Sequence, residues 1–146
     1  MFRGWFKKSP ADNRDLESLI YDIAENQRNE DYVALYDRLQ TTTLFLPVDA
    51  DSLPARIAPG EKYVVTSADC IKMPLAFVPE IGDCAPIATH RNCRMLERGY
   101  VEVTWFDFLR LVARLPGSPG ALLQGVRSWI VFDSGRVTYI MKKYSV

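Results

Sequence analysis

Apolar positions along this chain fall into blocks that switch between a helical and an extended period. Leu16, Leu19, Ile20 and Ile23 recur at i, i+3, i+4 and i+7, one stripe of an amphipathic helix that Asp12 or Asn13 is placed to cap. A second helix follows at once, with Asn29 as the expected cap and Glu30 and Asp31 at the positive end of its dipole. Its stripe is Tyr32, Leu35, Tyr36 and Leu39. Two short helices joined this closely form an αα-hairpin whose two stripes need a further layer to bury them.

The middle of the chain supplies candidate strands for that layer. Thr42 to Leu46 is β-branched and aromatic and stops at Pro47, which a central strand would not tolerate. A loop with two prolines runs from Asp49 to Gly60. Lys62 to Thr66, Met73 to Val78 and Ala85 to Thr89 then read as extended, the last two separated by a turn over Pro79 to Asp83. Thr89 or His90 is expected to start a short helix through Leu96, closed by Gly99 as a left-handed residue, and Tyr100 to Val103 is a brief extended link.

Thr104 with Asp107 three positions on fits a capping box. The helix it opens carries Trp105, Phe106, Phe108, Leu109, Val112, Ala113 and Leu115, an apolar face wide enough to predict burial. Pro116-Gly117-Ser118-Pro119-Gly120 ends it, and Ser118-Pro119 suggests a further helical turn ending near Gly125. The chain closes with Ser128 to Phe132, a turn at Asp133 to Arg136 with Gly135 at a positive φ, and Val137 to Met141, which together predict a β-hairpin. The fold class is therefore α+β: a mixed sheet with flanking helices, an N-terminal αα-hairpin and a C-terminal β-hairpin. Residues 1–10 form an accessory segment and residues 11–146 one domain.

Composition narrows the class without naming a chemistry. The 146 residues are 48% hydrophobic and 25% charged, near the globular average and enough for one core. Lys+Arg 18 balances Asp+Glu 18, so the basic surplus of a nucleic-acid binder is missing and no nucleic acid is expected as partner. Three cysteines, an odd number with no CxxC pair, point to free thiols in a reducing compartment. No apolar run reaches the ~18–20 residues that span a bilayer, and MFRGWFKKSP lacks the apolar core of a signal peptide. A cytoplasmic location is the expectation.

In order of segments the chain resembles the N-terminal domain of the SseB (enhanced serine sensitivity) family. Two leading helices precede Thr43-Leu44-Phe45-Leu46-Pro47, where the family has an aliphatic strand ending in Pro. Leu75-Ala76-Phe77-Val78 and Pro86-Ile87-Ala88-Thr89-His90 look like its pair of strands, Phe106 to Leu115 like its following helix, and Trp129-Ile130-Val131-Phe132-Asp133 like its closing strand. The family's Phe-Thr-Ser step is Ala88-Thr89-His90 here, and its Asn-Pro-Gly is Asp133-Ser134-Gly135. The resemblance covers most of Leu16 to Tyr139. It implies a mixed α+β fold and no established catalytic activity.

Few residues gather chemistry. Cys70, Cys84, His90 and Cys93 would suffice for tetrahedral zinc, with His90 and Cys93 one helical turn apart, but no short knuckle of two Cys with two to four residues between them brings two ligands together. A Cys84/His90 or Cys93/His90 nucleophile pair would gain from the positive field of Arg91 and Arg94, yet no oxyanion-holding motif accompanies it. No glycine-rich phosphate loop is present, since Pro116 to Gly120 lacks the Lys-Ser/Thr of a P-loop. Asp49/Asp51 and Glu30/Asp31 are explained by solvation and capping. The preferred expectation is a protein without catalytic activity and without cofactor.

A partner-docking segment is the remaining signal. Phe2, Trp5 and Phe6 lie beside Arg3, Lys7 and Lys8, a mixture of large rings and cations suited to a protein partner or to weak contact with a membrane surface. The functional expectation is a non-enzymatic bacterial protein–protein interaction module of SseB type. A secreted effector or its regulator would be a fitting partner, needing only a complementary surface. The alternative is a thiol- or zinc-dependent enzyme using Cys84, His90 and Cys93.

Overall fold

The computed structural model describes residues 14–55, 57–63 and 72–145. The two leading helices form as their periodicity predicts. α1 (Leu16–Asn26) buries Leu19, Ile20 and Ile23, and α2 (Asn29–Leu39) buries Leu35, Tyr36 and Leu39. The caps differ from expectation. Asp15 caps α1, accepting from the Ser18 N–H at 2.7 Å, so the helix starts two to three residues later than Asn13 or Asp12 would set it. Asn29 is already helical, and Arg28 holds the cap position with no side-chain bond.

Six strands build one mixed sheet: β1 (Leu44–Pro47), β2 (Ala76–Val78), β3 (Gly82–Ala88), β4 (Tyr100–Val103), β5 (Gly120–Gln124) and β6 (Trp129–Phe132). The order is β4-β1-β3-β5-β6, with β2 also paired to β3. β3 and β5 run parallel, Cys84 opposite Gly120 through Ala88 opposite Gln124, and every other pairing is antiparallel. Alternation sends Leu44, Leu46, Ala85, Ile87, Val101, Val103, Ala121, Leu123, Ile130 and Phe132 to one face, where they share a core with all four helices.

Two prolines sit inside central strands, and both are accommodated where no donor is needed. Pro47 ends β1 beyond its single register pair with β3, Phe45 opposite Ala88. Pro86 lies in mid-β3 between the stretch paired with β2 and the position paired with β1. The Thr89 N–H donates to the Gln124 carbonyl, so the backbone of residues 85 and 87 faces β5 and that of residue 86 faces the gap between β2 and β1.

The capped helix α3 (Trp105–Arg114) is central, as its apolar width implies. Asp107 N–H donates to the Thr104 hydroxyl at 3.1 Å, and Trp105, Phe108, Leu109 and Val112 are buried while Ala113 is exposed. The Asp107 carboxylate is taken by Arg110 at 2.6 Å.

Three expectations are corrected. Residues 137–141 are not a strand: α4 (Ser134–Lys143) begins at Asp133, whose carboxylate accepts from the Arg136 N–H at 2.8 Å, and it buries Val137 and Ile140. Gly135 is helical, and the C-terminal hairpin lies one element earlier, between β5 and β6. The stretch from Ser118 to Gly125 is not a helical turn, because Gly120–Gln124 is β5, placed beside β3 with Ala121 and Leu123 buried. Nor does His90 start a helix. β3 runs to Ala88, and only Arg94–Leu96 makes a 3-10 turn, with Leu96 its one buried residue, too little to hold a full helical stripe. Gly99 does take the expected left-handed φ of 134°. Of the strand expected at Lys62 to Thr66, Lys62 makes a single parallel bridge to Glu102, and residues 64–66 lie outside the described residues.

Candidate functional site

The opposite face of the sheet carries Phe45, Cys84, Pro86, Ala88, Leu122, Gln124, Trp129 and Val131, by the same alternation. Over Phe45 and Ala88 it is covered by the segment holding Cys93, Met95 and Leu96 together with Tyr100. Toward β5 and β6 the cover thins: Leu122 and Val131 are half-buried, and Trp129 is 52% exposed. Among the described residues, the β5–β6 half of this face is thus only partly covered.

Two adjoining grooves lead onto it. One, of ≈ 600 Å³, runs past Pro47, Val48, Met73, Pro74, Met95 and Arg98. The next, of ≈ 390 Å³, shares Pro74, Met95 and Arg98 and has Leu75, Pro86 and Leu122 as its apolar floor, with Arg94 at its rim. Among the described residues neither Arg94 nor Arg98 has an ion-pair partner, whereas nearby Arg91 is held by Glu102 at 3.0 Å and stacks over the Phe45 ring. Asp49, Asp51 and Lys72 also line the first groove and Glu97 the second, so the trough has an apolar floor with charges of both signs at its edge and suits a segment that is apolar with charged flanks.

The thiol and imidazole residues do not assemble. Cys84 and His90 are six residues apart along and just beyond β3, roughly 15–20 Å at the rise of a strand. Cys84 is fully buried, and burial first, then the Asp83 charge, pushes its thiol up, against a smaller opposing effect of the Gly120 backbone. A thiol held protonated in this way is a poor nucleophile. Cys93 is partly buried beside Phe45, Ala88 and Leu96 rather than one helical turn from His90. No three His, Cys, Asp or Glu side chains group to hold a metal among the described residues, and Cys70 lies outside them. Phe2, Trp5, Phe6, Lys7 and Lys8 also lie outside them.

His90 has a different neighbourhood from the one its sequence context suggested. The Thr89 hydroxyl donates to Glu17 Oε2 at 2.6 Å and lies 3.4 Å from His90 Nδ1, while Glu17 Oε1 accepts the Val126 N–H at 2.7 Å. A Cβ on Gly125 would come within 2.6 Å of Glu17 Oε1, so a glycine is what lets α1 approach this turn. Glu17 therefore ties the start of α1 to the carboxyl ends of the parallel strands. Residues 72 and 109 positions apart make these bonds, and the sequence marks Glu17 only as an acid in a first turn. The grooves described above are lined by none of Glu17, His90, Cys84 and Cys93.

No helix among the described residues is long and apolar enough to cross a membrane. No protein-family model, no curated protein and no solved structure matches this chain.

Proposed function

We propose that this chain is a non-enzymatic protein–protein interaction module of the SseB type, binding another bacterial protein on the partly covered half of its sheet. The observation that carries the reading is the trough of Met73, Pro74, Leu75, Pro86, Met95 and Leu122, rimmed by Arg94 and Arg98, which have no ion-pair partner among the described residues. Burying such apolar side chains yields ~25 cal/mol per Å², and the charged rim, Arg94 and Arg98 with Asp49, Asp51 and Glu97, favours a partner of complementary charge pattern and fixes its register. A secreted effector or its regulator presenting an apolar segment is the partner class that fits this reading.

The test pairs affinity capture at endogenous expression with three variants. Arg94→Glu/Arg98→Glu and Leu122→Asp should each abolish recovery of the partner that the native chain retains. Phe77→Ser, at an exposed ring whose register pair Asp83 places it toward the helical side of the sheet, should leave recovery intact. A partner that survives both face variants, or no partner under any growth condition, would overturn the proposal.

A further inference from the structure

We infer that the cleft between α2 and α4 is a binding site for a small aromatic phosphate ester, held through Arg136, the Tyr36 hydroxyl and Lys143. This cleft lies on the helical side of the sheet and shares no residue with the trough. On α2, Tyr32, Val33 and Tyr36 fall on one face, and on α4 the spacing of three and seven puts Arg136, Tyr139 and Lys143 on one face. The two faces line a cleft of ≈ 490 Å³, a volume that suits a small molecule.

Arg136 is its centre. The guanidinium stacks over the Tyr32 ring, 4.4 Å from the centroid, and Nη1 donates to the Tyr36 hydroxyl at 3.1 Å. These contacts hold the group in place without neutralising it. Among the described residues Arg136 has no ion-pair partner, and the Tyr36 bond is the one hydrogen bond its guanidinium makes. Tyr36 is only 2% exposed, yet it lines the cleft. Its hydroxyl accepts from Arg136 and keeps its own proton to give, for which no described residue is the acceptor. Burial, against a smaller opposing effect of Arg136, pushes this hydroxyl up in pKa, so it remains a donor at neutral pH. A preset guanidinium beside a buried O–H with no acceptor is a donor pair lacking its oxyanion.

Charge and shape select the ligand. Lys143, its Nζ 6.0 Å from the Tyr139 ring centroid, adds a second cation without an ion pair among the described residues. Asp133 is the one acid among the described residues that line the cleft, and its carboxylate is engaged as the cap of α4. Glu30, at the start of α2, is drawn to Arg28 at 3.8 Å. Two cations against one carboxylate leave the cleft positive. A phosphate monoester, which carries about −1.5 to −2 charge at pH 7, gains more from both cations than a carboxylate does. Bare phosphate would leave the walls unused. Val33 on α2 is 47% exposed and Tyr139 on α4 is 55% exposed, apolar flanks against which a ring can lie.

Calorimetric titration of the full chain with phenyl phosphate, adenosine monophosphate, inorganic phosphate and benzoate tests this. At least one of the two esters should bind with a Kd below about 1 mM, and at least about tenfold more tightly than inorganic phosphate or benzoate. A preference for the nucleotide would identify a nucleotide as the source, and a preference for phenyl phosphate a simple aryl ester. Arg136→Gln and Tyr36→Phe should each weaken binding at least about tenfold, the loss of one hydrogen bond to a charged group. Lys143→Gln should weaken it severalfold, and Asp133→Asn, which keeps a good helix cap, should tighten it. Lys142→Gln, off the stripe, should leave it unchanged. Circular dichroism and the thermal midpoint accompany each variant. Tyr36→Phe keeps the ring in the core and carries the test if Arg136→Gln unfolds. Failure of both esters to bind below about 1 mM would overturn the inference. So would benzoate binding as tightly as the esters, or ester binding indifferent to Tyr36→Phe and Lys143→Gln. Capture of a partner on the trough is read separately, so a cleft that binds nothing leaves the docking proposal standing.

Discussion

Asp31→Asn should test how the helical hairpin is held. Asp31 is 1% exposed, and its two oxygens accept from Arg14 Nη2 at 2.8 Å and from Arg28 Nε at 3.1 Å. Arg14 also binds Asp22 of α1 at 2.8 Å, so one guanidinium spans both helices. Hydrogen bonds to charged groups contribute about 1.5–3 kcal/mol each, and a buried pair that loses one partner costs about 3–5 kcal/mol. Those values need discounting here: Arg28 is 54% exposed and Arg14 keeps Asp22, so solvent and the second carboxylate take up part of the loss. Asparagine retains one acceptor oxygen but turns an NH₂ donor toward a donor. The net expectation is about 2 kcal/mol, or about 1 M in the urea midpoint at a slope near 2 kcal/mol/M.

The same carboxylate fixes the pH dependence. Burial acts to raise its pKa, but the hydrogen bonds and charges of Arg14 and Arg28 outweigh it and hold the group below its ordinary value. A depressed folded pKa gives stability that is present above the unfolded value, about 3.9, and lost as pH falls through the folded one. Urea melts of native chain and variant should thus differ by a constant amount between about pH 5 and 8 and converge below about pH 4. Equal midpoints at pH 7, or a gap that persists unchanged in acid, would refute the assignment of Asp31 as the clamp.

Leu109→Ala, at a side chain with no exposure in the middle of α3, should cost about 2–5 kcal/mol in denaturant melts, and Thr104→Ala only about 1 kcal/mol through the lost cap. A harmless Leu109→Ala would mean that α3 is not central. Under native conditions at neutral pH, Cys84 should resist a thiol reagent while Cys93 is modified, as read by peptide mass mapping, since burial both shields the Cys84 thiol and keeps it protonated. Fast labelling of Cys84 in the folded chain would revive a thiol chemistry that this geometry opposes.

Local signals determined as much of this protein as local physics can. The 3.6-residue stripes of α1 and α2, the Thr104 cap with its wide apolar helix, and the left-handed Gly99 are properties of a few consecutive residues, and each is present where the sequence places it. They also sufficed for the α+β class. The errors fall where two local states are nearly balanced and a distant partner chooses. Gly120–Gln124 is a short apolar run that reads as a turn of helix until β3, more than thirty residues earlier, offers it a parallel ladder. Asp133-Ser134-Gly135-Arg136 serves equally as a hairpin turn or a helix start. The helix won because Val137 and Ile140, spaced for one helical face, find the core beneath them.

The candidate sites were legible to a smaller degree, for the same reason. The sequence shows Arg94, Met95, Pro86 and Leu122 as unrelated residues, and only the sheet order brings them to one trough. It likewise shows Glu17, Thr89 and Val126 without the bonds that join them. Whether a strand is central or at an edge depends on which other strands pair with it, a long-range property that shows in a strand's own residues only where a proline or a charge marks it. Trp129-Ile130-Val131-Phe132 would read alike in either place, and only the tertiary structure puts it at the end of the strand order, with its outer backbone unpaired among the described residues.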